Sequence, residues 1–207
     1  MLARALSAYE RRADVLVLAL PRGGVPVAYE VAEALGARLD VFVVRKLGVP
    51  GEEEVAMGAI ASGGVRVMNE DIVRALGLPK SAIDAVAARE EIELRRREVE
   101  YRGKAEPAEI AGKVVILTDD GLATGASMRA AALALRARRP TELIAAVPVG
   151  ARSVCIDLER SVDHVFCPLI PEPFLAVGRW YEDFRETPDD EVRNLMAQSR
   201  RRMAYAS

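Results

Sequence analysis

The 207-residue chain is poor in several residue types. It has two cysteines, one histidine, one tryptophan and ten aromatic residues in all, and only four of its 29 basic residues are lysines. Cys155 and Cys167 show no metal-ligand spacing and cannot make a disulfide framework, which suits a reducing compartment. Net charge is nearly absent as well: 31 acidic against 29 basic residues leave −2. A chain without a strong field of either sign is not built mainly to coat nucleic acid or anionic lipid. No apolar run approaches the ~18 residues that span a bilayer. Arg4, Glu10, Arg11 and Arg12 stand where a secretory leader would need an apolar core. The expectation is a cytoplasmic protein with no membrane or nucleic-acid partner.

What is present is apolar residues, at 51%, enough for one compact unit that buries about 70% of its unfolded surface. Short runs rich in branched residues alternate with longer helical patterns, the signature of βα units around a parallel sheet. The candidate strands are residues 15–20, 39–44, 114–118, 143–147 and 162–166. An insertion over about residues 57–110 reads as a hairpin, 57–61 and 65–68, turning at Ser62-Gly63-Gly64. Two helices follow, 70–76 closed by Gly77, and 82 to about 101, opened by Ser81 and Asp84 in capping-box spacing. The alternating charges of Arg89 to Glu98 suit a solvated helix face. From Cys167, Pro168, Pro171 and Pro173 interrupt regular structure before an aromatic cluster and a final helix near residues 190–203. The expected fold is therefore α/β: a mostly parallel central sheet flanked by helices, with an inserted hairpin plus helices and a small C-terminal hood over about residues 167–207. All of it forms a single domain, 1–207.

The most informative stretch is Val114-Val115-Ile116-Leu117-Thr118-Asp119-Asp120-Gly121-Leu122-Ala123-Thr124-Gly125-Ala126-Ser127, with a helical pattern after it. An apolar strand delivers two adjacent carboxylates, and a loop of small residues then opens a helix. Small residues let the backbone approach a ligand closely, and unpaired amides at a helix start attract a phosphate. Thr124 and Ser127 add hydroxyl donors. The carboxylates repel a phosphate but accept well from the vicinal hydroxyls of a sugar. A phosphate beside a diol describes a ribose 5-phosphate. For any single residue here, a plain turn and helix cap is the competing explanation. A nucleotide P-loop does not fit, because Gly121 to Gly125 is the wrong spacing and no Lys-Ser/Thr follows.

This segment resembles the phosphoribosyl-diphosphate (PRPP) binding motif of type I phosphoribosyltransferases. The resemblance implies that Asp119 and Asp120 hold the ribose 2- and 3-hydroxyls. Gly121, Leu122, Ala123, Thr124, Gly125, Ala126 and Ser127 form the PRPP loop, with Ala123 to Ser127 around the 5-phosphate. Gly121 departs from the family, where an aliphatic residue is more usual. A second match is Pro21-Arg22-Gly23-Gly24 after the first strand. Two glycines at a strand-to-helix turn expose amides for an anion, and Arg22 adds a permanent charge. In the family this loop binds pyrophosphate, often through a basic-Gly-Gly sequence. Arg22, Asp119 and Asp120 are the implied catalytic group.

Two further stretches carry looser resemblances. Val44-Arg45-Lys46-Leu47-Gly48-Val49-Pro50-Gly51 lies where the family has a mobile loop that closes over PRPP, which makes Arg45 and Lys46 candidates to meet the diphosphate. Half of the aromatic residues lie between Phe166 and Phe184. This is either packing in a cap or a base-binding hood like that of hypoxanthine-type enzymes. There Phe174 or Trp180 would stack on the base and Asp183 would face Mg²⁺. An Asp that exchanges a proton with the purine in those enzymes is Ala123 here, so a 6-oxopurine is not implied. His164 reads as a structural residue of a core strand.

The function implied is transfer of a 5-phosphoribosyl group from PRPP to a nitrogenous base or related small acceptor, with release of pyrophosphate. Mg²⁺ would be held mainly through substrate oxygens. Catalysis would rest on orienting PRPP, excluding water and stabilising the leaving charge. Two alternatives remain open: a regulator that senses PRPP or a nucleotide without turnover, and another phosphosugar enzyme. A homo-oligomer is also open, and the count of 25 arginines does not by itself distinguish ion-pair networks from anion binding.

Overall fold

A computed structural model describes residues 1–206, with side chains to Ala204. A short helix α1 (Leu2–Ala5) precedes strand β1 (Val15–Ala19), all five residues of which are buried. Helix α2 (Gly24–Leu35) ends at Gly36, whose φ of 64° is the left-handed conformation that closes many helices. Strand β2 (Arg38–Val41) pairs parallel with β1. The chain then leaves that sheet to build an antiparallel one from β3 (Val44–Val49), β4 (Glu52–Ala61) and β5 (Val65–Met68). Helices α3 (Glu70–Ala75) and α4 (Lys80–Arg102) lead back. Strand β6 (Val114–Thr118), helix α5 (Ala126–Arg136), strand β7 (Glu142–Ala146), helix α6 (Arg152–Leu158) and strand β8 (His164–Phe166) complete the first sheet. A tail with one 3-10 turn, Val177–Trp180, reaches the last helix, α7 (Asp189–Ala206).

The main sheet has five parallel strands in the order β2-β1-β6-β7-β8. Alternation along each strand sends side chains into two cores. Val15, Val17, Ile116 and Ile144 pack on one face with α2, α4 and α7 residues such as Val31, Leu94 and Val192. Leu16, Leu18, Leu117 and Leu143 pack on the other with Met128, Leu135 and Leu158. Coverage of both faces explains why β1 and β6 read as unbroken apolar runs. The order of connection reverses between β1 and β6, so the loops leaving their C-terminal ends flank a switch point, the usual place for a ligand in an open α/β sheet.

The α/β architecture and the five parallel strands agree with the sequence reading, but four local features differ. The run expected as one strand over residues 39–44 is broken after Val41. Ser62 clamps the break, its Oγ accepting from the Val43 N–H at 2.9 Å and its own N–H donating to the Val43 carbonyl at 2.8 Å. The stretch placed where the family has a mobile loop is built as the β3–β4 hairpin, which turns at Gly51 with φ 84°. Helix α4 starts at Lys80 after Pro79, without a capping box, because Asp84 pairs with Lys80 and with Arg66 instead. His164 lies on the edge strand, exposed, its Nε2 3.5 Å from the Glu142 carboxylate. The charged face of α4 does carry the expected pairs, including Arg95 with Glu91 and Arg97 with Glu93. Both cysteines are free thiols. Among the described residues no helix is long and apolar enough to cross a membrane.

The most buried ion pair among the described residues joins Arg102 to Asp40. Arg102 Nε donates to Asp40 at 3.0 Å, and the same carboxylate accepts from the Val41 and Ala108 N–H groups at 2.8 Å each. Removing Asp40 leaves Arg102 only the 3.6 Å approach of Glu98, and leaves the Val41 and Ala108 N–H groups without their acceptor. Asp40→Ala should therefore destabilise the fold by about 3–5 kcal/mol in a urea titration. A loss below about 1 kcal/mol, the scale of an exposed pair, would contradict this.

Candidate active site

Two loops meet at the switch point because glycine lets them. The turn after β1 runs through a cis Pro21–Arg22 peptide to Gly23 and Gly24, which opens α2. A Cβ on Gly23 would collide with the Asp120 carboxylate. A Cβ on Gly24 would lie 2.8 Å from the Thr118 carbonyl oxygen and 2.9 Å from the Asp119 Cα. A side chain at Gly24 would drive the turn away from the β6 backbone, and one at Gly23 would displace the Asp120 carboxylate. Arg22 is partly buried but turned toward the C-terminal segment, where it pairs with Glu186 and lies 3.6 Å from Asp189. Tyr101 of α4 donates to the same Asp189 carboxylate at 2.8 Å.

The two carboxylates have no cation opposite them among the described residues. Asp119 Oδ1 accepts from the Asp120 N–H at 2.9 Å. Burial first, and then the charge of Asp120, push Asp119 up to about 7, against the pull of that N–H. Burial also raises Asp120, opposed by the Gly121 N–H. The two titrate as a pair. Such a pair is a strong acceptor for a vicinal diol and attracts positive charge.

Beyond the pair the loop is anchored by Leu122. Its N–H donates to the Val149 carbonyl and its own carbonyl accepts from the Ala151 N–H, both at 2.9 Å. Ala123, Thr124, Ala126 and Ser127 are exposed, while Gly125 is buried in the left-handed conformation, φ 68°, at the start of α5. Gly125 brings no side-chain cap to this helix; the Ala126 N–H donates to the Thr124 Oγ1 at 3.4 Å, and the amides after it can meet an anion. Sequence reasoning missed Arg129. From the first turn of α5 its guanidinium folds back, Nη1 standing 3.0 Å from where a Gly125 Cβ would be. The available signal was a basic residue four positions after the loop glycine. A cavity of about 690 Å³ runs beside this helix start, with Ser127, Arg129 and Lys46 on its wall.

The C-terminal hood reaches the acidic loop through Val177 and Tyr181. Val177 places its methyls 2.7 and 2.8 Å from the position of a Gly121 Cβ. The Tyr181 hydroxyl donates to the Asp120 carbonyl at 2.6 Å, and its ring packs on Phe184 with centroids 5.2 Å apart. Burial, then the two carboxylates, raise the Tyr181 phenol. Phe174 is half-buried and Trp180 exposed. Asp183 is exposed and engaged with Arg185, accepting from its N–H at 3.1 Å. Arg45 points into α4, its guanidinium 2.6 Å from the partly buried Glu90, and Lys46 lies 3.4 Å from Glu54 across the hairpin. The structure thus joins Gly23, Gly24, Asp119, Asp120 and Gly121, and directs Arg22, Arg45 and Asp183 toward protein partners. The overlooked signal for Val177 was Gly121 itself, since its missing side chain leaves the space Val177 fills.

A model of the phosphoribosyl transferase domain matches residues 2–174. The chain belongs to the phosphoribosyl transferase family. It is 45% identical over 192 residues to the Mycobacterium tuberculosis protein named "Putative phosphoribosyl transferase Rv0571c", covering 93% of this chain and 43% of that one. It is 33% identical over 112 residues to the bifunctional protein PyrR of Chloroflexus aurantiacus, covering 53% of this chain and 56% of the relative. The chain therefore spans less than two thirds of the length of these curated relatives. Among solved structures, the protein TT1426 from Thermus thermophilus superimposes with a TM-score of 0.84 at 40% identity, covering 95% of this chain and 93% of that one.

The raised Asp119 gives a pH signature. Folding lifts its pKa from an ordinary carboxylate value to about 7, so the fold favours the protonated acid, and that stabilisation is lost as pH rises through 7. Asp119→Asn mimics the neutral form. Its unfolding temperature relative to the parent should rise between pH 5 and pH 8; a difference that stays constant over that range would contradict the assignment.

Proposed function

We propose that this protein transfers the 5-phosphoribosyl group of PRPP to a nitrogen nucleophile and releases pyrophosphate. The observation that carries this reading is the contact between the Gly23–Gly24 turn and an acidic pair that has no cation opposite it. A diphosphate on the glycine turn and a ribose diol on Asp119 and Asp120 then lie as close together as they do in PRPP. The loop from Ala123 to Ser127 takes the 5-phosphate on open amides and the Thr124 and Ser127 hydroxyls. Orientation accounts for much of the rate, because the reaction needs no nucleophile or acid from the protein beyond holding PRPP in line with the acceptor. As the bond to diphosphate breaks, the ribose carbon becomes cationic, which the adjacent carboxylates stabilise, and the glycine-turn amides receive the leaving charge. Arg22 contributes to that charge when it exchanges Glu186 and Asp189 for the diphosphate.

The same carboxylate pair fits Mg²⁺ through its chemistry: two oxygen acids in a low-dielectric corner with no positive partner. Mg²⁺ arriving with PRPP would neutralise diphosphate charge there, and Asp119 and Asp120 would hold it together with substrate oxygens. One observation favours a second reading. The Arg22 guanidinium is already paired with carboxylates, as suits a protein that senses PRPP without turning it over. Pyrophosphate release in the presence of an acceptor separates the two.

Replacing both Asp119 and Asp120 with Asn tests the shared core of both readings. Each charge-assisted hydrogen bond to a diol is worth about 1.5–3 kcal/mol, so calorimetric affinity for PRPP with Mg²⁺ should fall by about 100-fold or more. Undiminished affinity in a folded double variant would reject the site.

A further inference from the structure

We infer that the exposed face of α4 pairs with the same face of a second copy of this chain, as a short parallel two-stranded coiled coil. The inference does not depend on the transferase reading. One side of α4 is docked, with Val86, Ala87, Leu94 and Tyr101 buried. The opposite side is bare. Ala85, Ala88, Ile92 and Val99 are all exposed, Ile92 at 73% and Val99 at 68%. Apart from Met1, these two are the most exposed large apolar side chains among the described residues. Ala85, Ile92 and Val99 follow one another at seven-residue steps, with Ala88 three residues after Ala85. Those are a and d positions of a heptad, which share one stripe of a helix. Single exposed apolar residues are ordinary on a monomer, whereas a stripe in heptad register is the pattern of a helix that meets another helix.

The charges beside the stripe select the occupant. With Ala85, Ile92 and Val99 at a, the e positions hold Arg89 and Arg96, and the g positions hold Asp84, Glu91 and Glu98. In a parallel pair each g residue meets the e residue of the next heptad on the other helix. Asp84 then faces Arg89 and Glu91 faces Arg96, each contact occurring twice about the two-fold axis. An antiparallel pair would set e against e and g against g, arginine on arginine and carboxylate on carboxylate. Within one chain Glu91 pairs with Arg95, and Arg96 with Glu93 and Glu100. Exposed pairs of this kind are weak enough to be shared with a second helix. Arg95 holds the second d position, where its stem can cover apolar surface while Glu91 keeps its head. A charged residue in the seam lowers stability. The stripe from Ala85 to Val99 is about 21 Å long at about 1.5 Å per residue. An interface of that length belongs to the weak class, below about 1,200 Å².

The test is sedimentation velocity of the full chain under reducing conditions, from about 1 to about 200 µM, the range in which a weak interface dissociates. Monomer at the low end and mainly dimer at the high end are expected. Ile92→Glu, with far-UV circular dichroism matching the parent, should be monomeric throughout. A parent chain still monomeric at the highest concentration overturns the inference, and so does a folded Ile92→Glu protein that dimerises as the parent does. Charge reversal then tests the orientation. Arg96→Glu sets a carboxylate against Glu91 at both symmetric sites and should weaken the dimer about tenfold; adding Glu91→Arg should restore it to within about threefold of the parent. Unchanged or tighter association of the Arg96→Glu chain, or no rescue in the double variant, contradicts the parallel pairing.

Discussion

Two adjacent carboxylates held in a partly dry corner without a counter-charge are the constraint around which the rest of this structure is arranged. Like charges at this spacing repel, and burial raises the cost of ionising either, which is why Asp119 is pushed up to about 7. A fold tolerates such a pair where something else completes it. Here the glycine turn and the hood both pack directly against it. Gly23 and Gly24 give up side chains so that their turn can touch the pair, Gly125 adopts a left-handed backbone so that the following amides open outward, and β1 and β6 supply the rigid edge. Rigid strands hold the carboxylates, and loops hold the amides, a division that suits orientation of a polyanionic substrate by main-chain groups.

Under the proposed function, that arrangement would let a chain of near-zero net charge serve a polyanion. Its cations are local. Arg22 sits beside the glycine turn and Arg129 beside the phosphate loop, while many other arginines, such as those on α4, are engaged in surface ion pairs. Arg22 also ties the turn to the tail through Glu186 and to α7 through Asp189, and Tyr101 ties Asp189 to α4. The Gly23–Gly24 turn, the last helix and the long charged helix are thus linked through the Asp189 carboxylate.

The parts of this protein legible in its sequence are those decided by neighbours in sequence. Residues 114–118 form β6 as expected because four consecutive apolar residues and Thr118, covered on both faces, have no competing structure, and the acidic pair and small-residue loop follow directly from that strand. Long-range contacts were not legible. Ser62 breaks the run after Val41 from twenty residues away, so β2 and β3 read as one strand. Arg66 draws Asp84 out of a capping role, and Glu90 draws Arg45 away from the loop. The hood is the clearest case. Aromatic content directed attention to Phe174 and Trp180, whereas the contact is made by Val177, whose place is set by a side chain that Gly121 lacks, fifty-six residues earlier. An absent atom leaves no periodicity to detect; it shows only as a departure from a family pattern.

The most direct test of the central claim is a crystal structure of this chain with PRPP and Mg²⁺. The account predicts the ribose hydroxyls on Asp119 and Asp120, the diphosphate on the Gly23 and Gly24 amides, and the 5-phosphate within the Ala123 to Ser127 loop. PRPP bound elsewhere, or bound with its diol away from the acidic pair, would contradict it.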